Sequence, residues 1–205
     1  MKTQIIPDSH PSAIQHAADV LCNGGLIAFP TDTVYGLAAP VTDVASIERL
    51  YVVKGRNNTK AIAVLFGEIS DLDKIASQVN ADILRLAEKF WPGPLTMILP
   101  RHPNLPDILA PLPTIGVRIP AHPTALGLLR LTGPLAVTSA NLSGEENANT
   151  AQQVQQQLDG RVHLIIDGGH TPGGVASTVV DCTNSELKIL REGPVTQEDI
   201  HSALA

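Results

Sequence analysis

Hydrophobic positions along the chain repeat with helical spacing in some segments and form short apolar runs in others. The helical spacing predicts helices that begin near residues 10, 42, 70, 80, 124, 150 and 196. The apolar runs predict a buried strand from Ile27 to Pro30, and further strands over residues 61–66, 95–99, 114–119, 135–140, 163–166, 178–181 and 187–190. Expected N-caps are Asp43 or Thr42, Ser70 with Asp73, Asn80, Thr150, and Thr196 with Asp199.

The order of these elements indicates the fold class. Helices and strands alternate in the first half, whereas short strands cluster near the end with too few residues between them for helical crossovers. We therefore expect an α/β fold with a twisted mixed parallel/antiparallel sheet and flanking helices. A chain of 205 residues can build one good core, and no low-complexity linker divides it, so a single domain over residues 1–205 is expected.

Composition removes several classes of function. The net charge of −6 argues against a broad nucleic-acid footprint. No apolar run approaches the roughly 18 to 20 residues of a membrane span, and no signal peptide precedes Pro7, which favours a cytoplasmic protein. Cys22 and Cys182 lack metal-ligand spacing and are expected to be reduced thiols. The P-loop, dinucleotide-binding, zinc-protease and serine-hydrolase motifs are absent from the sequence.

The segment from Ile27 to Leu37, IAFPTDTVYGL, combines a buried strand with a dense run of hydroxyls. Thr31, Asp32, Thr33 and Tyr35 follow the break at Pro30. Polar side chains at the end of an apolar strand are typical of a floor for a small polar ligand in an open α/β sheet. The alternative is a threonine-rich turn whose hydroxyls bond only to local backbone groups.

A cation occupies a strand position that should be buried. In the predicted strand from Thr114, the side chains of Thr114, Gly116 and Arg118 share one face. Burying Arg118 without an anion is expensive, and its planar fork fits a carboxylate or a phosphate. Its partner is either an internal Asp or Glu or an anionic ligand.

Other strand ends carry similar groups. Ser139 and Asn141 share the polar side of the next strand, and Ser177 follows two glycines that let backbone approach a ligand closely. Arg191 ends the last strand. Lys54, Arg56 and Lys60 fall in one loop, which is either a phosphate cradle or a solvated surface. Several cation-plus-hydroxyl strand ends without acid–base machinery are the pattern expected where catalysis is positioning and charge neutralisation on phosphate.

Seven ordered motifs connect these residues to a known family. PTDTVYGL, KGR, FWPGPLT, GVRIPAHP, TSANLSG, STVVD and ILREG occur in that order over roughly residues 10 to 195. The set resembles the YrdC-type threonylcarbamoyl-AMP synthases, in their short form. The resemblance implies a YrdC-like fold with a concave pocket. It also implies a reaction that joins L-threonine, bicarbonate and ATP, with Mg²⁺, into threonylcarbamoyl-AMP and diphosphate for a tRNA adenosine modification, with tRNA or tRNA-modification proteins as further partners.

The resemblance also implies roles for individual residues. Thr33 and Ser177 would hold threonine, and Arg118 would bind its carboxylate. Lys54, Arg56, Ser139 and Asn141 match the family's catalytic tetrad around the phosphates. The ATP contacts implied in this way are Arg56, Lys60, Thr114, Asn141, Asn149 and Arg191.

The chain departs from the family pattern at several places. Asn57 and Asn58 stand where many members have Pro and a small residue. Leu65 stands where many members carry His, and residues 145–148 replace a usually basic segment. Two other readings therefore stay open. One is a paralogue that adenylates a different carbamoyl substrate, and the other is a non-catalytic RNA-binding module on the same fold.

Overall fold

The computed structural model describes residues 2–57, 60–184 and 186–205. Among these residues no helix is long and apolar enough to cross a membrane. Two short 3₁₀ turns, at Ile69–Asp71 and Asp107–Leu109, lie between the larger elements. The strands and helices follow one another as β1 (Gln4–Pro7), α1 (Ala13–Cys22), β2 (Ile27–Phe29), β3 (Gly36–Pro40), α2 (Val44–Lys54), β4 (Ala63–Leu65), α3 (Leu72–Ile75), α4 (Ala81–Phe90), β5 (Leu95–Pro100), β6 (Thr114–Arg118), α5 (Pro123–Thr132), β7 (Leu135–Ser139), α6 (Ala151–Leu158), β8 (Leu164–Asp167), β9 (Thr178–Asp181), β10 (Lys188–Arg191) and α7 (Gln197–Leu204).

Most of the predicted helix caps are confirmed. Asp43, Asn80 and Thr150 each accept a hydrogen bond from the backbone N–H three residues later, and Thr196 with Asp199 forms a reciprocal capping box. The capping box predicted at Ser70 is wrong. A 3₁₀ turn that contains Ser70 leads into the four-residue helix α3, so Ser70 does not occupy the N-cap.

One mixed sheet contains all ten strands of the described residues, in the order β1-β8-β2-β3-β7-β4-β6-β5-β9-β10. The pairs β1–β8, β2–β8, β4–β6 and β5–β9 are parallel. The pairs β2–β3, β3–β7, β4–β7, β5–β6 and β9–β10 are antiparallel. The expected mixed sheet, including its antiparallel late strands, is therefore confirmed.

Two strands were not predicted from the sequence pattern. The edge strand β1 has mostly exposed side chains, so it lacks the apolar run that marks a buried strand. The central strand β3 has the sequence Gly-Leu-Ala-Ala-Pro, whose small residues and terminal proline have low strand propensity. Pairing with β2 and β7 on its two sides overrides that local preference.

The two faces of the sheet are covered unequally. Helices α2, α3, α4, α6 and α7 contribute to the large core on one face. On the other face, α1 and α5 pack on β2, β3, β7 and β8, and Leu65 and Ala63 of β4 also contact this cluster. On that face, no helix of the described residues packs on strands β5, β6 and β9 as part of this cluster. This half-covered face leaves a concave surface above the middle of the sheet.

Candidate active site

A cavity of about 420 Å³ lies on the part of the sheet that the helices leave open. That volume is within the usual range for a small-molecule site. Its floor consists of alternate side chains of neighbouring strands, because every second residue of a strand points to the same face. The residues that line it are Thr31, Thr33, Val34, Tyr35, Gly36, Arg56, Ala61, Ala63, Leu65, Thr96, Ile98, Gly116, Arg118, Val137, Thr138, Ser139, Asn147, Ala176, Ser177, Val179 and Arg191.

The hydroxyl-rich segment after β2 forms one wall of this cavity. Thr31 Oγ1 donates to the Val34 carbonyl at 2.6 Å and accepts from the Thr33 backbone N–H at 3.2 Å. Thr31 therefore does what a simple threonine turn would do. Thr33 differs, because its hydroxyl also accepts a hydrogen bond from Arg118 Nη1 at 2.9 Å. The turn reading is therefore confirmed for Thr31, while the ligand-floor reading stays a prediction for Thr33, which lines the cavity.

Arg118 is buried at the end of β6, with only 5% of its surface exposed. Its Nε donates to the Gly93 carbonyl at 2.9 Å, and its Nη2 forms an ion pair with Asp32. The internal acidic partner considered in the sequence analysis is thus present. Burial lowers the pKa of Arg118 and the Asp32 carboxylate opposes that shift, so the guanidinium stays charged.

Lys54 is also buried but lacks a carboxylate partner among the described residues. Its Nζ lies 2.6 Å and 3.1 Å from the Ser139 carbonyl and hydroxyl oxygens. The carbonyl and side-chain oxygens of Asn141 both lie 2.8 Å away. Burial, assisted by repulsion from Arg56, lowers the pKa of Lys54 to about 7. A cage of neutral oxygens thus holds the ammonium group directly behind the cavity.

Two further arginines complete the positive lining. Arg56 Nη2 donates to the Ala61 carbonyl at 2.8 Å, and Arg191 donates to the Ser177 carbonyl at 3.0 Å and to its hydroxyl at 3.1 Å. Burial lowers the pKa of both guanidinium groups, and Arg56 lowers the pKa of Arg191 further by repulsion. Among the described residues that line the cavity, none is acidic. The site therefore favours a ligand with several negative charges.

The structure brings most of the predicted site residues together. Six line the cavity, and Lys54 and Asn141 bond to each other directly behind it. The six lining residues are Thr33, Arg56, Arg118, Ser139, Ser177 and Arg191.

Besides Asn141, three predicted ATP contacts do not line the cavity. Lys60 is exposed, and Thr114 lies at the opposite end of β6 from Arg118, across from Pro100. The Asn149 side chain accepts a hydrogen bond from Thr171 Oγ1 at 3.2 Å. Residues 58 and 59 of the predicted basic loop lie outside the described residues.

Sequence reasoning missed three polar residues of the lining. Thr96 interrupts the apolar run of β5, and Asn147 follows the acidic pair in the loop after β7. Thr138 precedes Ser139 in the same motif. The signal for Thr96 was available, because a threonine inside an apolar strand must find a hydrogen-bond partner when it is buried. The Asn147 position depends on the path of a loop, which periodicity does not encode.

Metal-ligating side chains do not converge at this site. Within residues 2–57, 60–184 and 186–205, no group of three or more His, Cys, Asp or Glu side chains could hold a metal ion. Mg²⁺ is usually held by one or two carboxylates together with substrate phosphates, so an ion that enters with ATP does not need such a group of side chains.

Comparison with known proteins agrees with this arrangement. The sequence profile of the Sua5/YciO/YrdC family, which carries the description "Telomere recombination", matches residues 19–193. The chain belongs to this family. It is 40% identical over 194 residues to a threonylcarbamoyl-AMP synthase of Bacillus subtilis, covering 93% of this chain but 56% of that protein. A putative threonylcarbamoyl-AMP synthase of Mycobacterium tuberculosis is 34% identical over 199 residues, with 97% of this chain and 92% of that protein covered.

Solved structures of the Sua5/YciO/YrdC family share the fold. The crystal structure of Pyrococcus abyssi Sua5 complexed with L-threonine superposes with a TM-score of 0.94 at 35% identity, over 100% of this chain and 61% of that chain. Escherichia coli YciO superposes with a TM-score of 0.81 at 28% identity, over 94% of this chain and 95% of that chain. The expected YrdC-like fold is confirmed. The chain spans little more than half the length of the B. subtilis relative that it matches.

Proposed function

We propose that this chain is a threonylcarbamoyl-AMP synthase. The amine of L-threonine would capture CO₂ derived from bicarbonate and form a carbamate. A carbamate oxygen would then bond to the α-phosphorus of ATP while the α–β phosphoanhydride bond breaks, which releases diphosphate. Residues 1–205 would act as one YrdC-like domain in the cytoplasm, and the product would serve the N6-threonylcarbamoyladenosine modification of tRNA.

The single observation that carries this proposal is the group of four cations around one small cavity, of which Lys54 and Arg118 are buried, Arg56 is half-buried and Arg191 is exposed. Burial lowers the pKa of Lys54, Arg56, Arg118 and Arg191. Bringing so many like charges together is unfavourable unless a ligand neutralises them. A triphosphate together with an amino-acid carboxylate supplies that charge. Relatives named threonylcarbamoyl-AMP synthase and a relative crystallised with L-threonine support this choice of ligands.

The two ends of the cavity suggest how the substrates would be oriented. Arg118 and Thr33 are hydrogen-bonded to each other and would bind the amino acid together with Ser177, whereas Arg191, which bonds to Ser177, would contact ATP. Lys54 and Ser139 are in contact beside Arg56, and with Asn141 they would face the phosphates. Charge neutralisation at the α-phosphate would then be the main catalytic effect, as in other phosphate chemistry.

Further ligand contacts and the metal remain part of the proposal. Lys60, Thr114 and Asn149 would contact ATP beyond the cavity lining described above. Mg²⁺ would enter as a complex with the ATP phosphates, because the described lining provides no carboxylate to hold it. Leu65 lines the cavity with an apolar side chain, which would favour the methyl-bearing part of the amino acid over a charged one.

Diphosphate release from ATP by the purified chain tests the proposal. We expect release only when both L-threonine and bicarbonate are present. Release with bicarbonate that is indifferent to threonine would instead indicate a different carbamoyl substrate. RNA binding that weakens with salt, without any ATP turnover, would indicate the non-catalytic RNA-binding reading.

A further inference from the structure

Two hydroxyls on neighbouring strands, those of Thr96 and Ser177, form a hydrogen-bonded pair in the cavity lining. Their oxygens lie 2.8 Å apart, and both residues are buried, with 7% and 4% of their surface exposed. Ser177 has a role in the proposed function, whereas Thr96 has none. Thr96 extends from β5 on the same face as Ile98, towards the cavity and away from the core.

A count of donors and acceptors shows that one of the two O–H groups of this pair has no acceptor among the described residues. Each hydroxyl has one O–H to donate. Arg191 Nη2 already donates to Ser177 Oγ at 3.1 Å, so it uses one of the acceptor positions. The bond between the two hydroxyls consumes one O–H, whichever residue donates. No further acceptor bonds either hydroxyl among the described residues, so one O–H remains to be donated.

The Thr33 hydroxyl has the opposite hydrogen-bonding capacity, because it can accept a further bond but has no O–H left to donate. The Thr31 hydroxyl must donate to the Val34 carbonyl, because a carbonyl only accepts. The 3.0 Å bond between Thr31 and Thr33 is therefore donated by Thr33. Thr33 Oγ1 also accepts from Arg118 Nη1 at 2.9 Å. Its only spare capacity is one more acceptor position, so Thr33 can take a hydrogen bond from a ligand but cannot give one.

Arg118 lies beside the hydroxyl pair. Strands β5 and β6 are antiparallel with Met97 opposite Val117, which places Thr96 next to Arg118 on the cavity face. Three of the five N–H groups of Arg118 bond to Gly93, Thr33 and Asp32. The two N–H groups that remain and the spare O–H of the pair are donors on the same part of the wall.

We propose that Thr96 is a further substrate-positioning residue, which acts with Ser177 as a pair that donates one O–H to a carboxylate oxygen of the amino acid bound at Arg118. Thr33 accepts from a donor group of the same amino acid, its amine or its side-chain hydroxyl. This arrangement places the carboxylate of the amino acid at Arg118 and the hydroxyl pair, and one of its donor groups at Thr33. This inference rests on the proposed function and adds to it a residue and a direction for the hydrogen bonds.

The pair predicts a specific pattern of redundancy. If Thr96→Val removes one hydroxyl, the Ser177 hydroxyl is released to donate, and in Ser177→Ala the Thr96 hydroxyl is released in the same way. We expect each single variant to weaken L-threonine binding by about three- to tenfold. The double variant leaves no O–H for the carboxylate, and we expect a loss of at least about 300-fold, more than the product of the two single effects. Thr96→Ser should restore wild-type affinity.

Direct binding of L-threonine, measured by calorimetry on the full chain, is the readout. L-Threonine methyl ester, which lacks the anionic carboxylate, should bind wild type and the double variant with nearly equal affinity. A non-hydrolysable ATP analogue should bind Thr96→Val within about twofold of wild type, because the Thr96 hydroxyl bonds to Ser177 and to none of the groups assigned to ATP among the described residues. Thr3→Val is the matched control, because Thr3 is a buried threonine that donates to the Val162 carbonyl at 2.8 Å, far from the cavity. It should lose stability without losing threonine affinity.

Several outcomes would overturn the inference. The first is unchanged threonine binding by Thr96→Val in both the wild-type and Ser177→Ala backgrounds, and the second is an effect that simply multiplies with that of Ser177→Ala. An equal loss for the methyl ester or for the ATP analogue would show that Thr96 only shapes the cavity. Wild-type protein that binds no L-threonine would overturn the proposed function as well. If the wild type binds L-threonine and the Thr96 and Ser177 variants bind it with the same affinity, only this inference is overturned.

Discussion

The two ends of the cavity hold their buried cations in different ways. Arg118 is paired with the carboxylate of Asp32 and bonded to Thr33. Lys54 is surrounded by neutral carbonyl, hydroxyl and amide oxygens from Ser139 and Asn141. Both ends are buried, yet only the first contains an internal counter-ion among the described residues.

This difference separates geometric from electrostatic recognition. An ion pair fixes the direction of the Arg118 fork and offsets part of its charge, so that end selects a ligand by the arrangement of donors and acceptors. Neutral oxygens orient the Lys54 ammonium without cancelling its charge, and its pKa falls to about 7. In its protonated form Lys54 therefore presents an uncompensated positive charge to a ligand, and this end discriminates less by shape. An amino acid suits the first end and a polyphosphate the second.

Removing the uncompensated charge should have the largest effect. We expect Lys54→Met to lower diphosphate release about 10²- to 10³-fold, because a charge aimed at the reacting phosphate is lost. Lys54→Arg tests whether the geometry of the ammonium matters in addition to its charge. The cage of four oxygens at 2.6 to 3.1 Å fits an ammonium, so the longer planar guanidinium should not restore activity. Activity within tenfold of wild type in Lys54→Met, with an unchanged melting temperature, would contradict this role.

At the other end, structural and ligand-binding effects can be separated. Arg118→Ala leaves Asp32 buried and unpaired, which should cost about 3 to 5 kcal/mol of the free energy of unfolding. Adding Asp32→Asn removes the orphaned charge and should recover most of that stability. Threonine affinity should stay about 100-fold weaker in the double variant, because the carboxylate still lacks its bidentate partner. Denaturant unfolding and calorimetry measure the two quantities, and recovery of both together would reduce Arg118 to a structural residue.

The same contrast predicts a pH dependence at the Lys54 end. The pKa of about 7 means that Lys54 loses its proton as the pH rises through neutrality, and the attraction for phosphate is lost with it. Affinity for a non-hydrolysable ATP analogue should therefore fall about tenfold between pH 7 and 8.5, where the phosphates are already ionised. Lys54→Arg should flatten this profile. A flat wild-type profile would place the Lys54 pKa well above this range.

The smallest effect is expected for a residue outside the cavity lining. The Asn149 side chain bonds to Thr171 instead of lining the cavity, whereas Asn147 lines it. Asn149→Ala should raise the KM for ATP only about twofold, because its bond to Thr171 must break before the side chain can contact ATP, whereas Asn147→Ala should raise the KM by about three- to tenfold. A larger effect of Asn149→Ala than of Asn147→Ala would show that the loop rearranges when nucleotide binds.

The sequence predicted those elements that local periodicity and capping determine. It failed for elements whose structure depends on pairing with distant strands. Helix caps such as Asn80 and Thr150 follow from local chemistry and were found. The small residues of β3 carry no such signal, because its place in the sheet comes from partners distant in the chain.

The candidate site divides in the same way. Strand alternation was enough to place Arg118 and Ser139 on the cavity side of the sheet. It could not identify Asp32 as the partner of Arg118, since the two are 86 residues apart. Nor could it follow the loops that carry Lys60 and Asn149 away from the lining, because loop paths depend on contacts that no local pattern encodes.

The half-covered sheet makes the length of its strands harder to change than their composition. In β5, Leu95, Met97 and Leu99 belong to the core, while Thr96 and Ile98 line the cavity. Removing one residue would exchange the two sets, driving the Thr96 hydroxyl among the aliphatic side chains and a methionine into the cavity. Substitution at alternate positions can therefore change the lining without disturbing the core, whereas we expect insertions and deletions to be tolerated only in the loops at the ends of these strands.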